Sequence, residues 1–464
     1  LPSSWQPILA DGPAPLFERV LGALAADIET GKLPPGTRLP PQRELALSAG
    51  ISLGTVTRAY AEAERRGLVT AHVGRGSYVA GAVAANSPVA ANDGPIDLCH
   101  NIPPHGPARA EIKRLSLALA ADGTFAQLLD YTPVFGIEDH RRAVGEWLVA
   151  HAQMPKAHAP EVVLCGGTQQ AMALALGSVC KPGDIVLCEE LTFYGMRALA
   201  DYAGYRLHGV SMDHLGLCPD ALEKAIRQTG ARVLYVLPTL QNPTARMMDL
   251  GRRQAIVDVA RRHDLWLIED DVYGYFAKSQ QDYVPLSVLA AERSFYLGGL
   301  SKVLAPGLRV GFALPPVGGQ HNDLMARQLR ATTYTSNGFG SAIIAHAIRS
   351  GLAEQIANNV RQAARDRLSL AHELLGPAIE PPPVDCSLHV WVPLSELSAE
   401  RIAGRALRQG VEVTPPGAAN VGTGPSGLRL CLGGAADLGQ LRRGLGVIAA
   451  ALAQSDERAA SSIV

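Results

Sequence analysis

The chain has 464 residues, 42 Lys and Arg against 43 Asp and Glu for a net charge of −1, and is 47% hydrophobic and 18% charged. That length is too great for one compact core and fits two to three domains, while the ordinary composition and the lack of any apolar run near the roughly 18 residues of a membrane span point to a soluble globular protein. The seven cysteines (Cys99, Cys165, Cys180, Cys188, Cys218, Cys386 and Cys431) are odd in number and form no CxxC pair, which argues against a disulfide framework or a zinc site.

The start, Leu-Pro-Ser-Ser-Trp, has no basic region followed by an apolar stretch, so no secretory signal is visible and a reducing cytoplasm is the expected location. Residues 16–30 carry an amphipathic helical pattern, and a second helix is predicted to begin near Gln42 and to stop at Gly50. Ser52 caps a third helix in which Val56, Ala59, Tyr60 and Ala63 share one face, leaving Thr55, Thr57 and Arg58 to others. Gly67-Leu-Val-Thr-Ala-His-Val-Gly-Arg75-Gly-Ser-Tyr-Val-Ala reads as two short strands around a Gly-Arg-Gly turn, a wing with a cation at its tip that suits a minor groove. Lys32, Arg38, Arg43, Arg58, Arg65, Arg66 and Arg75 against Glu44, Glu62 and Glu64 make the stretch locally basic. By pattern alone this is either a DNA-reading helix-turn-helix or a three-helix protein-interaction domain.

Residues 81–95 are small and almost uncharged, with neither helical nor alternating pattern, and read as a linker. From about 96 to 452, strand-like runs such as Glu161-Val-Val-Leu-Cys, Asp184-Ile-Val-Leu-Cys, Val233-Leu-Tyr-Val-Leu and Leu265-Trp-Leu-Ile alternate with helical stretches, which predicts an α/β body with a parallel sheet covered by helices. Residues 453–464 read as a frayed tail.

Several motifs in the body carry chemistry. Gly166-Gly167-Thr168-Gln169-Gln170 lies between a strand and a helix, where backbone N–H groups and a threonine hydroxyl bind phosphate. Phe193 follows a strand, where an aromatic can stack on a pyridine ring or simply fill core. Asn242-Pro-Thr offers an amide donor or a turn. Asp270 and Asp271 end a buried strand: a carboxylate there can hold a ring nitrogen protonated, and no further ligand stands at metal spacing. Tyr273, three positions on, can reach the same oxygen as Asn242. An apolar strand then ends in Gly298-Gly299 and offers Ser301-Lys302, followed seven residues later by Arg309. A lysine reacts only as the free base, so a partly desolvated strand end suits one that holds pyridoxal phosphate (PLP) as a Schiff base, with the arginine on the cofactor phosphate.

Leu33-Pro-Pro-Gly-Thr-Arg-Leu-Pro-Pro-Gln-Arg-Glu-Leu-Ala, Ser52 to Thr55-Val-Thr-Arg-Ala-Tyr, and Arg66-Gly-Leu-Val to Gly-Arg-Gly-Ser-Tyr-Val resemble the GntR-type winged helix-turn-helix. The resemblance implies that Arg43 and the start of the third helix meet double-stranded DNA, through Ser52, Leu53, Thr55, Thr57 and Arg58, with Arg75 approaching from the wing. Leu53 departs from the arginine frequent in that family. Tyr131-Thr-Pro-Val-Phe-Gly136, Gly167-Thr-Gln-Gln, Phe193, Asn242-Pro-Thr, Asp270 with Tyr273, Ser301-Lys302, Arg309 and Leu428-Arg429-Leu together resemble fold-type I aminotransferases. That resemblance implies a mostly parallel sheet between helices, a small C-terminal α+β subdomain, and PLP as cofactor. It makes Lys302 the Schiff-base lysine, Asp270 the partner of the pyridine nitrogen, Asn242 and Tyr273 the partners of the phenolate oxygen, and Phe193 the ring-face residue. Gly167, Thr168, Gln169, Ser301 and Arg309 surround the phosphate, joined by Tyr131 from a partner subunit, and Arg429 holds a substrate carboxylate. Two departures stand out: Gly299 replaces the usual serine and Ala245 the usual glycine.

A GntR head (1–80), a linker (81–95) and an aminotransferase-like body (96–452) resemble MocR-type transcriptional regulators end to end. The resemblance implies a homodimer, arranged head-to-tail, in which an amino compound or PLP is sensed through an aldimine at Lys302. The alternative is a working transaminase that carries a DNA-binding domain.

Overall fold

The computed structural model describes residues 5–9, 16–34, 37–65, 68–72, 76–79, 94–104, 106–123, 125–155, 161–277, 283–422 and 424–461. It divides into two units, Leu1–Asp93 and Gly94–Val464.

In the first unit, helices Leu16–Glu29, Gln42–Ala49 and Leu53–Arg65 precede an antiparallel pair, Val69–His72 with Gly76–Val79. Leu21, Leu24, Leu45, Val56, Tyr60, Ala63, Val69 and Val79 form its core, so the apolar stripe of the third helix faces inward. The tight turn between the second and third helices has a local cause at each end. Gly50 takes a left-handed φ of 66° and returns its N–H to the carbonyls of Ala46 and Leu47. Ser52 Oγ then accepts the Thr55 N–H at 3.2 Å and caps the next helix. Tyr60 locks the third helix against the preceding loop by donating its hydroxyl to the Pro40 carbonyl at 3.0 Å.

The body is built on a seven-stranded sheet in the order Val163–Cys165, Gly311–Leu314, Ser294–Gly299, Trp266–Asp270, Val233–Val236, Ile185–Glu189 and Arg206–Val210. Gly311–Leu314 runs antiparallel to both neighbours and the other pairings are parallel. Helices cover both faces, which is why the strands read as continuous apolar runs. Alternation still sorts the side chains: Val233, Tyr235 and Ile268 enter one layer, and Leu234, Val236 and Leu267 the other.

A second, smaller core gathers the pairs His389–Pro393 with Gly427–Cys431 and Ile96–Leu98 with Val411–Val413 under helices Leu352–Leu375, Glu396–Arg408 and Leu438–Ser461. The first strand of the body thus joins its last hundred residues, a long-range pairing that the sequence does not advertise. The last helix, Leu438–Ser461, continues through most of the segment read as a tail over 453–464. Leu441, Leu445, Ile448 and Ala451 anchor it, and the Ala, Gln, Glu and Arg that follow propagate a helix at little cost. The predicted linker lies outside the described residues as far as Asp93. No helix among the described residues is long and apolar enough to cross a membrane.

Ser52→Ala removes the cap of the third helix at a cost of about 1 kcal/mol. Amide exchange in its first turn should accelerate about fivefold, read by hydrogen exchange on the full chain.

Candidate functional site

The carboxyl ends of the parallel strands open into one cavity of about 380 Å³. Eleven residues singled out from sequence line it: Gly167, Thr168, Gln169, Phe193, Asn242, Asp270, Tyr273, Ser301, Lys302, Arg309 and Arg429. Asn101, Tyr194, Gly195, Leu237, Val272, Pro306 and Val310 complete the wall.

At one end, helix Thr168–Val179 points its amino terminus at the cavity, and its first N–H groups have no acceptor within the helix. Arg309, itself left-handed at φ 48°, lays its guanidinium here and donates to the Gly166 carbonyl at 3.0 Å. Gly167 is required at this point. Its φ is +99°, and a Cβ would lie 2.7 Å from Arg309 Nη2. Gln169 is already engaged with the Gly195 carbonyl at 2.8 Å, and a Cβ on Gly195 would strike the Phe193 ring.

The acids at the end of Trp266–Asp270 are sorted by their partners. Glu269 accepts from the Leu286 and Ser287 N–H groups and the Ser287 hydroxyl, while Asp271 accepts from Tyr283 and Tyr296. Only Asp270 faces the cavity. Its Oδ2 accepts the Tyr235 hydroxyl at 2.8 Å, and its Oδ1 is buried with no hydrogen-bond partner. Burial pushes its pKa up to about 6, against the opposing pull of Tyr235, the Val272 N–H and Lys302. Lys302 moves the other way: burial lowers it to about 8, and Arg429 and Arg309 add to the effect. Its Nζ donates to the Asn101 carbonyl.

Arg429, 3% exposed, donates to Asn242 Oδ1 at 2.7 Å, to Thr414 Oγ1 at 2.8 Å and to the Cys99 carbonyl at 2.9 Å. No carboxylate pairs with it among the described residues, and its Nε has no acceptor. Tyr273 is buried, and its hydroxyl accepts from Asn101 Nδ2 at 2.8 Å.

Tyr131 does not line this cavity. It is 82% exposed and stacks edge-on against the exposed Tyr334 at 4.9 Å. In the first unit Arg43, Ser52, Leu53 and Thr57 are exposed and Thr55 is half-buried. Thr57 donates to Gln42 Oε1 at 2.8 Å, which joins the starts of the second and third helices. Arg58 is turned toward the first helix, its guanidinium 3.9 Å from the centre of the Phe17 ring. Arg75 lies outside the described residues.

Sequence reasoning missed Tyr235 and Asn101. The alternation that sends Tyr235 and Ile268 to one face would have found the first, because Asp270 follows Ile268 by two. No local pattern marks Asn101, which arrives through the long-range pairing of Ile96–Leu98.

The structure also gives Gly299 a packing reason. A Cβ there would sit 3.0 Å from Thr168 Oγ1 and 3.3 Å from the Val310 carbonyl. Gly299→Ser should therefore cost about 1–3 kcal/mol of stability by overpacking, and Thr168→Ala in the same chain should recover at least about 0.5 kcal/mol of it, measured as a double-mutant cycle by chemical denaturation.

Residues 93–448 match the family model for aminotransferase class I and II, and residues 16–79 that for bacterial regulatory proteins of the gntR family. The chain is 26% identical to the uncharacterized HTH-type transcriptional regulator YdeF of Bacillus subtilis (strain 168), over 89% of this chain and 88% of that protein. It is 29% identical to the 2-aminoadipate transaminase of Thermus thermophilus, over 62% of this chain and 72% of that protein. Among solved structures, the Thermus thermophilus α-aminoadipate aminotransferase LysN, complexed with N-(5'-phosphopyridoxyl)-L-leucine, superposes with a TM-score of 0.68 at 26% identity, over 78% of this chain and 93% of that one. An archaeal alanine:glyoxylate aminotransferase gives 0.70 at 24%, over 77% and 91%. With its fold-type I body and its gntR-family head, this chain belongs to the aminotransferase class I and II family and has the architecture of the MocR-type regulators.

Proposed function

We propose that the chain is a DNA-binding transcriptional regulator whose body holds PLP at Lys302 and whose DNA affinity depends on what occupies that site. The observation that carries this reading is a single cavity lined by a lysine of lowered pKa, a buried carboxylate with an oxygen that has no partner, and a helix amino terminus with an arginine.

The residues fit that cofactor. Asp270 Oδ1 lacks a donor, and a protonated ring nitrogen is one. When bound, PLP supplies an aldehyde that takes up amines and a ring that withdraws electrons. Lys302 is its covalent anchor, and burial lowers its pKa to about 8, so that much more of the amine is free base near neutral pH than for an ordinary lysine. Tyr235 keeps Asp270 in place and favours its ionised form. Asn242 and Tyr273 serve the ring oxygen, and Phe193 its face. Thr168, Ser301 and Arg309 serve the phosphate together with the helix amino terminus, and Gln169 holds the Phe193 loop against that helix. Tyr131 serves the phosphate of the partner subunit in a homodimer, which is consistent with its exposure away from its own cavity.

Arg429 is the anchor for an effector carboxylate. It is buried without a counter-ion among the described residues, so an arriving anion is favoured over an uncharged group. In the head, Arg43 and the exposed start of Leu53–Arg65 face the major groove, and Arg75 enters the minor groove. Two heads imply two half-sites spaced by multiples of about 10 base pairs.

The same completeness favours a second reading, a working transaminase. Sustained formation of 2-oxo acid over many turnovers supports the enzyme, and at most one equivalent per subunit supports the sensor.

Lys302→Ala should abolish the visible absorbance that PLP gains on binding the wild-type chain, and an unchanged spectrum would contradict the anchor. The capture rate should rise about tenfold from pH 7 to pH 9 and then level, because the amine titrates near 8. A lysine at its ordinary pKa would still be climbing. Arg43→Ala should weaken binding to DNA from upstream of the gene by about 1–3 kcal/mol at fixed salt, measured by fluorescence anisotropy.

A further inference from the structure

The chain enters the body through residues 94–102, and this short run meets the cavity's cations twice. Lys302 Nζ donates to the backbone carbonyl of Asn101, and Arg429 Nη2 donates to that of Cys99 at 2.9 Å. The Asn101 side chain is 8% exposed. Its amide reaches the Tyr273 hydroxyl at 2.8 Å and lies 3.0 Å from His389 Nδ1, while its Oδ1 has no partner. Thr414, which follows the strand paired with Ile96–Leu98, binds the Cys99 carbonyl and receives Arg429.

The run is also stiff. Asp97 Oδ1 accepts the N–H groups of Cys99 at 2.8 Å and His100 at 2.9 Å, and Ile96 N–H reaches the Gly410 carbonyl at 2.7 Å. Gly433 and Gly434 press on it from the other side: a Cβ on either would fall 1.8 Å from the Ile102 oxygen or 2.6 Å from the Asp97 oxygen. A displacement at Asn101 is therefore shared by residues 97–101 as a body.

We propose that residues 97–101 carry the state of the cavity toward the DNA-binding unit, with Asn101 positioning Lys302 and Asp97 making the run move as one piece. This rests on the reading that Lys302 anchors PLP and Arg429 takes a carboxylate. Were the Lys302 amine to condense with the cofactor aldehyde, one water would leave and Nζ would give up protons with which it now donates to the Asn101 carbonyl. When an effector amine takes its place on the cofactor, the lysine amine is released and can return. A carboxylate at Arg429 competes with the Cys99 carbonyl for Nη2. Each event changes the donors on the same run: the Asn101 carbonyl loses Lys302 and must find another donor, while the Cys99 carbonyl loses its charged donor and keeps Thr414 and Cys431. The run that re-seats is the one that continues, through Gly94, into the chain leading to the head. A ligand whose affinity differs between the two seats shifts DNA affinity, and DNA shifts ligand affinity in return.

The test uses the full-length chain stripped of cofactor, PLP as the probe, and DNA from upstream of its own gene. Saturating PLP should change amide exchange across 96–102 by at least about threefold and shift DNA affinity. Asp97→Ala should leave the PLP absorbance titration within about twofold of wild type yet shrink the DNA shift to less than about half. Asp97→Asn, which retains the Oδ1 acceptor, should restore it. Unchanged exchange at 96–102 in PLP-saturated protein, PLP binding without any DNA shift, or a full DNA shift in Asp97→Ala each overturns the relay. If Asp97→Ala fails to fold, the exchange measurement on wild type decides alone. Absence of any PLP absorbance in wild type is a different failure: it removes the cofactor reading beneath the relay, and the relay with it.

Discussion

Three cations, Lys302, Arg309 and Arg429, share one cavity with a single carboxylate, Asp270. Charges of one sign gathered in one cavity repel, and Lys302 and Arg429 have also lost hydration through burial, while Arg309 stays exposed. Lysine can relieve this by giving up its proton, which is the sense of its shift to about 8. Arginine cannot, so Arg309 and Arg429 lean on backbone carbonyls and neutral side chains and stay ready for anions. Asp270 is also under strain from burial, and Tyr235 beneath it limits the shift. The cavity is thus chemically incomplete by itself: it asks for phosphate at one end, carboxylate at the other, and a donor against Asp270 between them.

The fold supplies this arrangement through close approach. Parallel strands bring their carboxyl ends to one edge, but the cavity has its shape because backbone can lie where side chains would clash. Gly311 illustrates it, since a Cβ there would fall 2.3 Å from the Gly167 carbonyl carbon. Gly167, Gly195 and Gly299 do the same for Arg309, Phe193 and Thr168. Ala245 shows the limit of reading glycine from sequence: it takes a left-handed φ of 59° without being glycine, held within a buried turn by its N–H bond to the Gln241 carbonyl.

A body able to bind an amino compound and a head able to read DNA make a regulator only if binding favours one arrangement over another. The first strand of the body lies among the elements that hold Arg429, so the cavity and the chain's point of entry are mechanically adjacent even though they are far apart in sequence. That adjacency is absent from the resemblance to aminotransferases as a motif list. It follows from where residues 96–98 pair.

Much of this protein was legible in its sequence, for a definable reason. The head's capping serine, stop glycine and helical stripe are local signals, and the alternation of apolar runs with helices reports a covered parallel sheet directly. Lys302, Asp270, Asn242, Tyr273 and Arg309 each follow a strand or open a turn, so their residue type and position already suggest chemistry. What tertiary structure decided depends on contacts between distant segments: which of three adjacent acids faces the cavity, that Tyr235 supports it, that Arg58 turns to Phe17, and that Asn101 receives Lys302. Residue type alone does not separate the carboxylates of Glu269, Asp270 and Asp271, and only the resemblance singled out Asp270; the partners that sort them come from Ser287, Tyr235 and Tyr283. Sequence determined the parts and their order along the strand ends. Packing between segments far apart in the chain, such as Cys99 and Arg429, 330 residues apart, decided which of them touch.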